Sequence, residues 1–468
     1  MRSSARTLLC LLFILVPLLV FAQRSDREPS QIRSSGGGAA PDISDSMTDE
    51  QRAEIQRGLA ENIARLKSEG KLEPESPQAV GLNWPVRKVN FNDRFIEGIS
   101  NYVDQNPANP GATLEWNCGT RTYDVAGYNH GGIDIFTWPF GWLRMDTFQA
   151  EVVAAAAGTI IQKVDGNFDR NCAMGGGNPN MIFIRHSDGS VAWYLHMKSN
   201  SLTSKGVGAT VAQGEFLGVI GSSGSSTGPH LHFELYNASN QLQEPYQGAC
   251  NSLNASSWWN VQEPYRNTRI NALMTGSAAP IMPACPTQEV PNAQSTFAPG
   301  STIFMTAFYR DQLTSQQTVW ELVRPDGGLH QTWTHSSPNT YSASWWWYSV
   351  GLPAAPLGTW RVRLTSLGQT VERPFILGTA SSALVTLTGS VTTSAGRGIG
   401  RTTVTLTNSS TSATVTTTTR KNGQYTFANV AAGANYTVTA THGRYNFGNA
   451  VRSVTPVENT LGLDIVAH

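Results

Sequence analysis

Residues 226–236 read STGPHLHFELY, and its two histidines, His230 and His232, stand two positions apart. Side chains alternate faces along a strand, so both imidazoles point one way while Leu231 and Phe233 point the other. At a rise of about 3.3 Å per residue their Cα atoms lie roughly 6–7 Å apart, close enough to serve one centre. Taken alone, the pair fits a solvated face as well as a site. A second stretch, YNHGGIDIF at residues 128–136, carries His130 and Asp134 four apart. Gly131 and Gly132 argue against a helix here and for a tight loop entering a strand. Fully extended, the pair would be about 13 Å apart, so the glycines must fold the loop for both side chains to converge. A third stretch, VAWYLHM, ends a predicted strand on His196. Four of the nine histidines fall in these three stretches, which concentrates them in one part of the chain.

Histidine and carboxylate are the ligands expected of a catalytic zinc, which takes three protein ligands and keeps one position open for water. His130, Asp134 and one histidine of the pair supply three. His196 and the other remain as acid–base groups, suited to deprotonate a water whose pKa the metal brings near 7 and then to steady an oxyanion or protonate a leaving amine.

HGGID, YLHM and STGPHLHFEL, in this order, resemble the lysostaphin and β-lytic type zinc metallopeptidases. AAAAGTIIQKV and VGATVAQGEFLGVIGSSG fit the same strand pattern, so the resemblance covers roughly residues 90–275. It implies a groove-shaped antiparallel β catalytic domain, one zinc ion, and cleavage of peptide bonds in bacterial peptidoglycan. Carried over by position, His130, Asp134 and His232 are the implied zinc ligands, and His196 and His230 the implied catalytic pair. Inactive relatives lose members of this set, and here it is complete.

Among the neighbours, Tyr194 reads equally as groove lining or packing. Glu234 shares a face with the pair and reads as an orienting partner of a ligand histidine or as a surface carboxylate. Asn129 is a substrate contact or simply a polar loop residue. His186 precedes an Asp-Gly turn and reads as a loop histidine. His330, His335 and His442 receive no role.

The elements that must hold these residues are mainly β. A length of 468 residues suggests roughly three domains. Residues 23–45 include SSGGGAAP, a flexible-linker composition. The following segment reads as one amphipathic helix, capped by Thr48, striped by Ile55, Leu59, Ile63 and Leu66, and ended by Gly70. Residues 23–79 are thus a linker and a helix, either packed on the next domain or forming a propeptide that occludes an active site. Short β-branched runs between glycines fill residues 80–280, the metallopeptidase domain. Residues 286–377 read as an immunoglobulin-like β-sandwich, and GTASSA follows as a linker. Residues 384–467 resemble the carboxypeptidase regulatory-like, transthyretin-like β-sandwich through NGQYTFANVAAGANYTV. There Val404, Leu406, Tyr425 and Phe427 face inward, and Lys421-Asn422-Gly423 reads as a hairpin turn. In SASWWWYS, Trp345 and Trp347 share one face and Trp346 takes the other, a sugar-binding platform or a core with an edge contact.

Arg2 and Arg6 precede the apolar run Leu8–Val20, and Ala22 offers a cleavage position before Gln23. The run is 13 residues, against about 20 needed to cross a bilayer, so residues 1–22 read as a removable signal peptide. Cys10 lies inside the run, which argues against a lipid anchor. The mature chain is expected to be secreted or periplasmic, with no stable membrane insertion. Cys118, Cys172, Cys250 and Cys285 then read as two disulfides, with Cys118–Cys172 and Cys250–Cys285 the expected pairing. Formal net charge is zero, with no basic excess to engage nucleic acid.

The expected function is an exported zinc metalloendopeptidase acting on peptidoglycan cross-links, with glycine-containing bridges or D-alanyl links as targets. Two other readings stand beside it. One is a catalytically silent wall-binding or activator protein; the other is a secreted protease for glycine-rich proteins. The two C-terminal domains read as spacers or as wall- and glycan-binding modules.

Overall fold

The computed structural model describes residues 33–467 except 40–42, 73, 90–92, 107, 109–110, 126–127, 379–383, 394–395, 448–450 and 461. The expected signal peptide and most of the GTASSA linker lie outside the described residues. Among the described residues no helix is long and apolar enough to cross a membrane.

The strand His230–Tyr236 lies inside an antiparallel sheet, between Val191–Leu195 and Ile133–Thr137. Glu97–Asn101 continues the sheet on one side, and Met181–Arg185, Gly158–Val164 and Thr210–Val211 on the other. One face of this sheet carries Ile135, Ile182, Tyr194, Leu231 and Phe233 into the largest apolar core. Alternation therefore sends His230, His232 and Glu234 to the opposite face. That face is covered as well, since all seven residues of the strand are buried.

Part of the cover is the expected helix, Asp49–Ser68, whose Thr48 and Gln51 form a capping box. Its Leu59 and Leu66 bury against Phe183, Trp193, Leu195 and Tyr236, with Ile55 and Ile63 partly buried beside them. Gly70 follows the helix at φ 66°, a left-handed conformation that glycine takes without a Cβ clash. A second, short helix spans Gly141–Asp146.

Arg33–Ala39 corrects the linker reading of its glycine-rich segment. It forms a strand antiparallel to Ala343–Gly351, with Gly38 opposite Trp345 and Ala39 opposite Ser344. A sheet edge offers unpaired backbone groups that any extended chain can satisfy, and glycine is no barrier to this. The strands Thr302–Arg310 and Arg269–Gly276 complete this four-stranded sheet. It packs through Ile303, Met305 and Tyr309 onto Trp320, Trp360 and Phe375 of a five-stranded sheet, making the first sandwich. Trp345 stacks on Phe308 and joins an apolar cluster with Phe136, Trp138 and Phe140 of the catalytic sheet region. Trp346 turns the other way, its indole N–H donating to Gln312 at 2.8 Å.

The second sandwich, from Leu384 to Val466, has a three-stranded and a four-stranded sheet. Val404, Leu406, Tyr425 and Phe427 are all buried in its core. Lys421-Asn422-Gly423 is a turn, but it is not a hairpin. Thr414–Thr418 before it and Gln424–Ala431 after it belong to different sheets.

The disulfides are Cys118–Cys250 and Cys172–Cys285, correcting the expected pairing of sequence neighbours. The fold, not sequence proximity, sets the partners. Cys250 N–H donates to the carbonyl of Trp116 at 3.0 Å, so the two loops run side by side.

Candidate active site

Register brings the first two residues together. Asp134 sits directly opposite His232 across adjacent strands, and Leu195 lies opposite His232 on the other side. His196 follows Leu195 at φ 62°, and this turn out of the strand swings its ring over the histidine face. The rings of His196 and His230 are 4.6 Å apart, and those of His130 and His232 are 5.0 Å apart.

The glycines of HGGID have a steric reason. A Cβ on Gly132 would lie 2.6 Å from His232 Nε2, and one on Gly131 would lie 2.9 Å from the Arg52 guanidinium. The loop reaches the strand because both positions lack a side chain.

Each imidazole has one nitrogen fixed by an acceptor outside the site. Nδ1–H of His130 donates to Tyr102 O at 2.7 Å, that of His196 to Ser223 O at 2.7 Å, and that of His230 to Gly228 O at 2.9 Å. His232 is reversed, its Nε2–H donating to Glu234 Oε1 at 2.9 Å. The remaining nitrogens then present lone pairs inward, as the tautomers implied by these bonds require. They meet further acceptors there. His130 Nε2 is 3.1 Å from Asp134 Oδ2, and His232 Nδ1 is 2.9 Å from Asp134 Oδ1. The Nε2 atoms of His130 and His230 are buried without a hydrogen-bond partner. Acceptor facing acceptor in a buried site is stable only with a proton or a cation between them.

A residue that sequence reasoning missed completes the cluster. Asp45, from the segment between the N-terminal strand and the helix, is buried among the histidines. Its Oδ2 lies 2.7 Å from His232 Nδ1 and 3.0 Å from His196 Nε2, and its Oδ1 lies 3.5 Å from His130 Nε2. Tyr123 and Tyr128 donate to Oδ1 at 2.6 and 3.1 Å. Asn101 holds the segment and the site together, its amide donating to Ile43 O and to Asp134 Oδ2, each at 2.8 Å. Asp45, His130, Asp134 and His232 each offer one ligand atom within 4.8 Å of the others, as do Asp45, His196 and His230.

The electrostatics follow from this crowding. Burial alone would raise Asp45, but the charge of His232 and bonds from His196 and His232 hold it well below the usual carboxylate range. Asp134 is lowered against the same burial by His130. Burial lowers His130 and His232, yet Asp134 raises the first and Asp45 raises the second well above the ordinary value. Burial pushes His230 down to about 4, so it stays neutral. A divalent cation held between the carboxylates and the rings of His130 and His232 would have to displace these protons.

The other expected residues separate cleanly. Glu234 joins the site. Arg52 of the helix contacts it through both nitrogens, at 2.5 and 3.0 Å, and Tyr236 donates to it at 2.8 Å. Despite burial, the charge of Arg52 holds Glu234 down to about 2, a fixed anion behind His232. Tyr194 is not brought to the site. It packs on Phe233 on the core face, its hydroxyl accepting from Ala155 N–H at 2.8 Å. Because His196 leaves the strand geometry, two-residue alternation does not carry from one to the other. Asn129 donates to Asn106 O at 2.8 Å beside the loop. His186 is a buried packing histidine bonded to Ala157 O at 2.8 Å.

An antiparallel sheet with a buried histidine–carboxylate cluster on one covered face fits a metallopeptidase domain. The family comparison places it more narrowly. Residues 129–245 match peptidase family M23, and residues 386–467 match the carboxypeptidase regulatory-like domain. The chain therefore carries a lysostaphin-type M23 domain followed, after the first sandwich, by a carboxypeptidase regulatory-like domain.

Among curated relatives, peptidoglycan DD-endopeptidase ShyC of Vibrio cholerae is 40% identical over 58 residues, 12% of this chain and 13% of that protein. DD-carboxypeptidase/endopeptidase Mpg of Neisseria meningitidis is 42% identical over 59 residues, 13% of each chain. Glycyl-glycine endopeptidase ALE-1 of Staphylococcus capitis is 33% identical over 131 residues, 27% of this chain and 31% of that one. Each of these matches spans less than a third of the relative.

Proposed function

We propose that this chain is an exported zinc metalloendopeptidase that hydrolyses peptide bonds in peptidoglycan cross-links. His130, Asp134 and His232 hold one zinc ion, and His196 and His230 are the catalytic pair. The observation that carries this reading is the inward convergence of buried imidazole lone pairs on Asp134. Zinc, when bound, supplies Lewis acidity that polarises a carbonyl and eases proton loss from water.

The remaining steps belong to the chain. His196, anchored through Nδ1 to Ser223 O, offers Nε2 to accept that proton. His230, anchored to Gly228 O, holds its own Nε2 at the same centre and, on taking up a proton, can steady the developing oxyanion or pass that proton to the leaving amine. Glu234, gripped by Arg52, fixes the His232 tautomer that points Nδ1 inward. The complete set favours an enzyme over a silent wall-binding protein. The peptidoglycan-acting relatives favour cross-links over other glycine-rich proteins as substrate.

The same reading makes residues 23–79 a propeptide and the described conformation a latent one. Asp45 occupies the inward side of the centre, bonded to both a ligand histidine and His196, where substrate and water must enter. Zinc content and hydrolysis of purified peptidoglycan test the proposal together. One zinc per chain is expected, and His130→Ala should lose both zinc and hydrolysis. A His130→Ala protein that still cleaves would reject the site.

A further inference from the structure

The N-terminal segment meets the rest of the fold at two described places. Arg33–Ala39 pairs antiparallel with Ala343–Gly351, the strand that would otherwise be the open edge of the four-stranded sheet. Beyond Ala39 the chain arrives at Ile43 and then at Asp45 among the histidines. Cavities flank this path on both sides. One, of about 460 Å³, lies between Asn101, Tyr123 and Phe136 of the catalytic sheet region and Tyr341 and Ala343 of the sandwich. The other, of about 310 Å³, is lined by Trp138, Pro229, Met282 and Trp345. Ala39 and Ile43 line both, so these two residues sit in a cleft that the sandwich and the catalytic sheet build jointly.

Pairing along this edge is read from backbone, not from side chains. The paired stretch contains Gly36, Gly37 and Gly38, and a Cβ on Gly38 would meet nothing within 4 Å. Strand addition of this kind takes any extended chain, and the open space at Gly38 sets no size limit there. A glycine-rich peptide that continues toward the metal centre is the occupant the chain itself supplies.

We infer that the Ala343–Gly351 edge is a substrate-binding strand for the extended, small-residue peptide of a glycine-containing cross-bridge, and that Arg33–Ala39 occupies it as an internal mimic. The inference deepens the peptidase reading and rests on it for the identity of the substrate. The six-residue step from Ala39 to Asp45 spans at most about 20 Å, so a peptide paired on this edge places its downstream bonds at the centre.

The test uses the full chain with residues 33–39 deleted, stripped of zinc so that nothing is cleaved. Pentaglycine, and separately a peptide with the sequence of Arg33–Ala39, are added while amide exchange is followed over residues 343–351. Exchange there should slow at least fivefold in the deleted chain and remain unchanged in the intact chain, whose edge is filled. No slowing at millimolar peptide, or equal slowing in both chains, would overturn the inference. In case the deletion disturbs folding, the double variant Gly37→Pro/Gly38→Pro in the intact chain removes at least one N–H that faces the partner strand and should raise exchange at 343–349. Unchanged exchange in that variant counts against the edge.

A kinetic arm separates this claim from the peptidase reading. With zinc restored and Asp45→Ala added to release the centre, the deleted chain should cleave a fifteen-residue glycine peptide with a KM about tenfold below that of a five-residue one, at similar kcat. Equal KM values would reject the edge as a substrate strand. Exchange protection without any hydrolysis would leave the edge standing and sink the peptidase reading instead.

Discussion

The strand His230–Tyr236 and the strand Thr403–Asn408 of the C-terminal sandwich follow the same two-residue alternation to different ends. In the second, Val404 and Leu406 are buried, while Thr403, Thr405 and Thr407 stay at least partly exposed. In the first, Leu231, Phe233 and Leu235 are buried, and so are His230, His232, Glu234 and Tyr236. Burying ionisable groups costs several kcal/mol each unless they are paired, so a strand that does so on an entire face is compensated by something specific. In the catalytic sheet the compensation is a network closed by Asp134, Asp45 and Arg52. The C-terminal sandwich buries few polar side chains among its described residues, Thr402, Thr419 and Arg452. Among its described residues no histidine–carboxylate cluster of this kind forms, and the contrast marks the sheet where the centre is proposed.

The sharpest way to break this comparison is one substitution in each region. His196→Ala should lower kcat by about 10²–10⁴-fold while zinc content stays at one per chain, because its role is proton transfer and not ligation. Leu387→Ala, in the core of the C-terminal sandwich, should cost about 2–5 kcal/mol in the unfolding of that sandwich and leave kcat unchanged. Chemical denaturation and turnover measured on the same preparations would check both. Loss of zinc in the first variant would move His196 into the ligand set.

Next in size is the latent contact. Asp45→Ala in the full chain should raise hydrolysis at least about tenfold, since a tethered carboxylate competes at high effective concentration. Rates before and after removal of the N-terminal segment give the check. The variant should lie near the processed enzyme, and an unchanged variant would show that Asp45 does not restrain the site.

Glu234→Ala tests the orienting layer. It should weaken zinc binding by about 10–100-fold, read by competition with a chelator, with a smaller change in folding. The smallest effect concerns Glu244, which burial pushes up to about 8. An acid whose folded pKa is raised contributes most below its unfolded value of 4.5, and that contribution is lost as pH climbs to about 8. Glu244→Gln should therefore match the parent near pH 5 and become the more stable of the two toward pH 8, a difference that paired thermal unfolding curves can read.

Much of the site could be read from local pattern. HGGID, YLHM and HLH each carry their spacing in a few residues, and strand alternation and the capping box at Thr48 are equally local. What escaped was set by contacts distant in sequence. Asp45 is one carboxylate in a polar stretch, and only the folded chain brings it to His232, 187 positions away. The disulfides join loops that neighbour each other in space and not in sequence. Arg33–Ala39 has linker composition, and its strand exists because an edge waits for it. For Tyr194 the structure selects packing over groove lining, because the positive φ at His196, which no spacing rule encodes, breaks the alternation between them.

The central claim is that the buried histidine–carboxylate centre is a zinc site that opens peptide cross-links. Its most direct test is mass analysis of fragments released from peptidoglycans of defined cross-bridge, digested by the zinc-loaded chain after removal of the N-terminal segment. Fragments ending at a cleaved cross-link peptide bond, abolished by chelation and restored by zinc, are predicted. Intact cross-links in every peptidoglycan, at one zinc per chain, would contradict it.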